Sequence, residues 1–153
     1  MENQEVKKII ALLEKSFDGS AWHGPSLMSI LNDVSYEKAF EQNHNIHSIA
    51  ELVAHSTTWK KFAIERVKGH NTFDITEQLN WSSFPKKDAA TWSEVLEELK
   101  STQDELTTVL ETISDLKLTD IVEDKAYNFY TLLHGVIQHD IYHGGQIALL
   151  KKL

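Results

Sequence analysis

Apolar positions recur along this chain at spacings of three and four residues, the mark of helices that bury one face. Four segments keep the pattern over several turns. The first runs from about Asn3 to Phe17, with Val6, Ile10, Leu13 and Phe17 on one face. The second, Ile46 to Gly69, presents Leu52, His55, Trp59 and Phe62. The third opens at Thr91 and carries Trp92, Leu96, Leu99, Gln103, Leu106, Leu110 and Ile113. The last spans Asn128 to Leu153, where Phe129, Leu132, Val136, His139, His143, Gln146 and Leu150 form one stripe facing the inside of a helix bundle.

Local signals punctuate these helices. Asp18-Gly19-Ser20 breaks the first, and Trp22-His23-Gly24-Pro25 crosses to a short helix over Ser26 to Asn32. Ser35 to Phe40 has the length of a single helical turn. Ser48 and Glu51 are spaced as a capping box, as are Thr91 and Glu94, and Gly69 closes the second helix as a C-terminal glycine. His70 to Ala90 holds Trp81, Phe84 and Pro85 and is too long for a tight turn between neighbours, so it reads as a crossover spanning the bundle. Leu116 to Tyr127 is a second connection, with short extended pieces at Ile121-Val122 and Ala126-Tyr127, and Asn128 is a fitting N-cap. Gly135, Gly144 and Gly145 lie inside the last helix, where each costs about 1 kcal/mol relative to Ala. Close helix approach or an uncrowded metal site would account for them.

His139 and His143 stand four apart on the inward stripe, so both rings reach toward one spot. His55 occupies the same kind of position on another helix, between large apolar groups. Each buried imidazole brings a polar nitrogen that needs a partner. Three of them on the stripes of two helices suit one first-row divalent ion, with the remaining coordination open to water or substrate. The competing reading is a metal-free set of hydrogen-bonded core histidines. His134, about 140° around the helix from His139, faces away. Glu51, one turn before His55, is either a helix cap or a general base. Gln146, on the stripe beyond His143, either orients a ligand or bonds the backbone. Trp59 and Tyr142 are expected substrate-pocket walls, and Trp22 sits in a loop between the first two helices.

With these residues in view, the chain resembles the DinB/YfiT-like superfamily. The resemblance is carried by HSIAELVAHSTTW (47–59), GVIQHDIYHGGQI (135–147), AWHGPSL (21–27), and WSSFP (81–85) followed by Trp92. It runs nearly the full chain in order. The resemblance implies an all-α four-helix bundle with long crossover connections, formed by residues 1–153 as a single domain. It also implies one divalent metal held by His55, His139 and His143, with Trp22 as a substrate-pocket wall near the metal mouth; the three-imidazole donor set suits zinc or nickel first, with iron, cobalt and manganese as alternatives. The superfamily includes thiol S-transferases, thiol-dependent isomerases and members without known activity, so the resemblance fixes the site better than the substrate.

Composition narrows the field. The 153 residues suffice for one self-contained core, and 41% hydrophobic with 25% charged content is ordinary for a soluble globular protein. No apolar run approaches the length of a membrane span, and the acidic, helical start MENQEVKKIIALLEK is unlike a signal peptide. Zero cysteines exclude disulfides and thiolate ligands, and the expected location is cytoplasmic. A net charge of −8 without a basic cluster argues against nucleic acid. The expected function is a metal-dependent enzyme acting on a small molecule, a thiol S-transferase or hydrolase-like protein, with a low-molecular-weight thiol as one candidate partner. The alternative is a non-catalytic, metal-stabilised module that binds a ligand or forms a homodimer.

Overall fold

The computed structural model describes residues 3–153. The reading of the N-terminus also involves Met1 and Glu2, which lie outside the described residues. Helix α1 (Gln4–Asp18) buries Val6, Ile9, Leu13, Ser16 and Phe17; Ile9 rather than Ile10 takes the central position. Helix α2 (Leu27–Leu31) is capped by Ser26 and the turn α3 (Tyr36–Ala39) by Ser35. Helix α4 (Ile49–Val67) opens with the capping box expected from Ser48 and Glu51. It closes where Gly69 takes φ +83° and the amides of Gly69 and His70 bond back to Arg66 and Glu65. That paired return is a Schellman motif, which requires a residue comfortable at positive φ.

The connection after α4 contains one helical turn, α5 (Glu77–Asn80). Helix α6 (Ala89–Leu110) begins two residues before the expected start, because Asp88 rather than Thr91 is the cap: its carboxylate accepts from the Thr91 amide at 2.8 Å. Leu110 ends the helix, which leaves Ile113 outside it. A 3₁₀ turn (Asp115–Thr119) and a single antiparallel bridge between Ile121 and Asn128 replace the two extended pieces expected there. Asn128 caps helix α7 (Phe129–Leu150) as expected.

The four long helices are α1, α4, α6 and α7. Helix α6 packs against α1 and α4, and α7 against α4 and α1, so α1/α4 and α6/α7 are the diagonals. The ion pairs Lys61–Glu98 and Lys68–Glu105 advance seven residues on both helices at once, which means that α4 and α6 run parallel. Joining parallel neighbours requires a strand of chain as long as the helices, and this is the crossover that carries α5. The chain is thus an all-α four-helix bundle.

Its core divides into two apolar layers. One gathers Val6, Ile9 and Leu13 with Phe62, Leu106, Leu110, Phe129 and Leu133. The other gathers Phe17, Ile49, Val53, Trp92, Leu99, Ile147 and Leu150. Between them the buried residues are polar: Ser16 near the C-terminal end of α1 and, toward the middle of the other long helices, His55, Ser56 and Lys60 on α4, Thr102 and Gln103 on α6, Asp140 and His143 on α7. One polar cross-section therefore sits between two apolar ones. Among the described residues, no helix is long and apolar enough to cross a membrane.

Candidate metal centre

Helix α4 places His55 two turns in from its capped start, in the polar cross-section and facing α7. Its Nδ1 lies 2.8 Å from the backbone carbonyl of Asn80. A carbonyl only accepts, so the proton is on Nδ1 and the Nε2 lone pair is free. Trp81 stacks on the His55 ring, with centroids 4.0 Å apart and planes within 3°. His47 stacks on Trp81's opposite face at 3.5 Å. The turn α5 therefore orients His55 in two ways, by the Asn80 carbonyl and by the indole plate.

Helix α7 supplies the other two rings. The Nδ1 of His143 donates to Gln146 Oε1 at 2.6 Å, one turn further along the same helix, which again leaves Nε2 as a lone pair. The Nε2 of His139 lies 3.0 Å from that of His55 and 3.0 Å from that of His143. A neutral His139 has at most one Nε2 proton and can satisfy one of its two neighbours, never both. A cation at the point of convergence satisfies all three nitrogens. Two nitrogens bound at about 2.0–2.1 Å, at angles between 90° and tetrahedral, lie roughly 2.9–3.4 Å apart, so the two 3.0 Å spacings to His139 match edges of a coordination polyhedron. The ligand atoms of the three residues all lie within 4.8 Å of one another, and these residues could hold a metal ion.

Electrostatics favour the same state. Burial is the main cause pushing all three imidazoles below their ordinary pKa, with His139 lowered to about 3 by burial and then by its neighbours His143 and His55. Neutral imidazole is the form that ligates.

A sequence profile of the DinB superfamily matches residues 23–147, a span that contains all three histidines and both stretches on which they lie. The chain belongs to the DinB superfamily. Compared with curated proteins and with solved structures, it matches none of them.

The other expected site residues of this DinB-superfamily chain fare unequally. Gln146 sits where it can orient His143. Glu51 is occupied as the cap, its carboxylate accepting from the Ser48 amide at 2.7 Å. Trp59 borders a cavity of about 410 Å³ shared with His55 and His139. Tyr142 borders a second cavity of about 550 Å³, beside His143 and Gln146. Trp22 is not brought to the site: it is fully exposed and lines neither cavity. The cause is local, since Ala21 and Gly24 pair across a tight turn that turns Trp22 outward. His134 packs at a tilt against the Tyr130 ring on the outer side, away from the cluster.

Sequence reasoning missed the support around the histidines. Lys60, 0% exposed, forms an ion pair with Asp140, 2% exposed, and also donates to Gln103 Oε1 at 2.8 Å. This pair links α4 to α7 directly beside His139. The available signal was spacing: Lys60 falls four residues after Ser56 and three before Ala63, and Asp140 falls four after Val136 and seven before Ile147. Both are inward positions, yet charged residues are usually solvated. Asn80 left no such signal, because it acts mainly through its backbone.

Proposed function

We propose that His55, His139 and His143 bind one divalent metal ion through their Nε2 atoms, and that the protein is a metal-dependent enzyme acting on a small molecule. The observation that carries this reading is the convergence of three Nε2 atoms, two of them held as lone pairs by Asn80 and Gln146. Three imidazoles leave at least one coordination position for a ligand, the arrangement of a catalytic rather than a closed structural site. Zinc or nickel suits the donor set first, with iron, cobalt and manganese as alternatives. A divalent ion so held lowers the pKa of a bound water or thiol, or polarises a carbonyl. The protein's own part is to hold the imidazoles neutral and aimed, through Asn80, Gln146 and the Trp81 plate. Trp59 and Tyr142 border the cavities a substrate would enter.

The reaction we favour is transfer to or from a low-molecular-weight thiol, or a related hydrolysis, in the cytoplasm. A second reading, a metal-stabilised binding or dimerisation module, draws on one observation: the nearby carboxylates are engaged elsewhere, Glu51 by its helix cap and Asp140 by Lys60. Elemental analysis of untagged protein, followed by thiol-transfer and hydrolysis assays with the metal found, separates these. Bound metal with turnover supports the enzyme, bound metal without turnover the module, and protein purified without metal that takes up none on reconstitution contradicts both.

A further inference from the structure

The 410 Å³ cavity beside His55 and His139 differs in chemistry from everything around it. Its walls are the Trp59 indole, Leu132, Val136, Thr131 and the Tyr127 ring, and among the described residues no Lys, Arg, Asp or Glu borders it. Two of its polar neighbours are already engaged. Trp59 Nε1 donates to Asn80 Oδ1 at 3.0 Å, and the Asn80 carbonyl accepts from His55. Besides these, the lining offers the edge of the two imidazoles and the hydroxyl-bearing Thr131 and Tyr127. Gly135 forms part of the wall, and a Cβ there would meet nothing within 4 Å. The volume lies toward the small end of ligand sites, about 300–1,000 Å³.

We propose that this chamber receives the uncharged aromatic or branched aliphatic body of one small molecule, whose metal-seeking head meets the metal at His55 and His139. The inference rests on the metal-centre reading above and adds the class of ligand. An anionic body is disfavoured on two grounds. Among the described residues no cation lines the chamber to offset its desolvation, and the chain carries a net charge of −8.

The test uses the full-length, zinc-loaded protein and two probes with the same head, benzohydroxamic acid and acetohydroxamic acid, titrated by calorimetry. Their difference is a phenyl against a methyl group, about 100 Å² of apolar surface, which sets a ceiling near 70-fold. The expected result is at least about tenfold tighter binding of the benzo compound. 4-Carboxybenzohydroxamic acid should lose that advantage. Gly135→Leu fills the chamber and should bring the benzo-to-aceto ratio close to one, with Gly135→Ala as a smaller step in the same direction. Equal affinity of the two probes for the wild-type protein overturns the proposal, as does an undiminished ratio in a folded Gly135→Leu protein. Zinc content is measured on the same samples. A wild-type chain that holds no zinc and binds neither probe defeats the metal reading itself, a failure distinct from zinc-loaded protein that binds both probes alike.

Discussion

Removing one member of the Lys60–Asp140 pair should be far more damaging than removing both. Asp140→Leu leaves the Lys60 ammonium fully buried, with the Gln103 carbonyl at 2.8 Å and the Phe17 ring at 5.4 Å as its remaining partners. Breaking a buried pair from one side costs about 3–5 kcal/mol, out of a total stability of about 5–15 kcal/mol for a domain. At about 2–4 °C per kcal/mol for a chain of this size, the melting temperature should fall by roughly 6–20 °C. The double variant Lys60→Met with Asp140→Leu removes both charges and orphans only Gln103, a loss of about 1–3 kcal/mol. It should therefore be about 2 kcal/mol more stable than Asp140→Leu alone. Lys60→Met alone has a pH signature, because burial already pushes the Asp140 carboxyl up. Without its ammonium, that carboxyl has a folded pKa above its unfolded one, so the folded state holds the extra proton and stability falls as pH rises. The variant should be less impaired at pH 5 than at pH 8. Urea unfolding with a comparison of m-values reads all three proteins. Additive losses, with the double variant as impaired as the two single variants together, would refute the reasoning.

Four further outcomes are expected. Gln146→Ala frees the Nδ1 of His143 and should weaken metal affinity by about 10–100-fold in a competition titration, with helix content unchanged in circular dichroism. A chelator should lower the melting temperature by about 5–10 °C, since metal at a hundredfold excess over its Kd contributes about 2.7 kcal/mol. In the metal-free protein the three imidazoles have depressed pKa values, so the unfolded chain binds more protons below about pH 6.5. Stability should thus fall as pH drops from there toward about 3, the value of His139, and a flat urea midpoint over that window would contradict it. Gly135→Ala should stabilise by about 0.5–1 kcal/mol in thermal unfolding, since the new methyl faces open space within a helix.

Much of the fold is legible because helices write themselves locally. Ser48 with Glu51, Gly69 and Asn128 act on backbone groups within a turn or two, and each does what its position predicts. The three histidines are legible for a similar reason: they interrupt apolar stripes whose direction spacing reveals. Asp88 displaced Thr91 as the α6 cap because both residues are competent caps three positions apart, and Ala89-Ala90 extend the helix readily. The face of a long-range contact is another matter. Nothing local says that Trp81, after a crossover, lands flat on His55, or that Lys60 finds Asp140 eighty residues away. Trp22 shows the opposite failure: an aromatic in a loop is expected to pack, and a four-residue turn holds it out in solvent instead.

The central claim, one metal shared by two helices, is tested most directly by metal content per chain in the untagged wild type and two variants. His55→Ala removes the only one of the three proposed ligands that α7 does not supply, while His134→Ala removes a histidine packed against Tyr130 outside the cluster. A site shared by the two helices gives about one equivalent of metal in the wild type, essentially none in His55→Ala and about one in His134→Ala. Full metal in His55→Ala together with its loss in His134→Ala would contradict it.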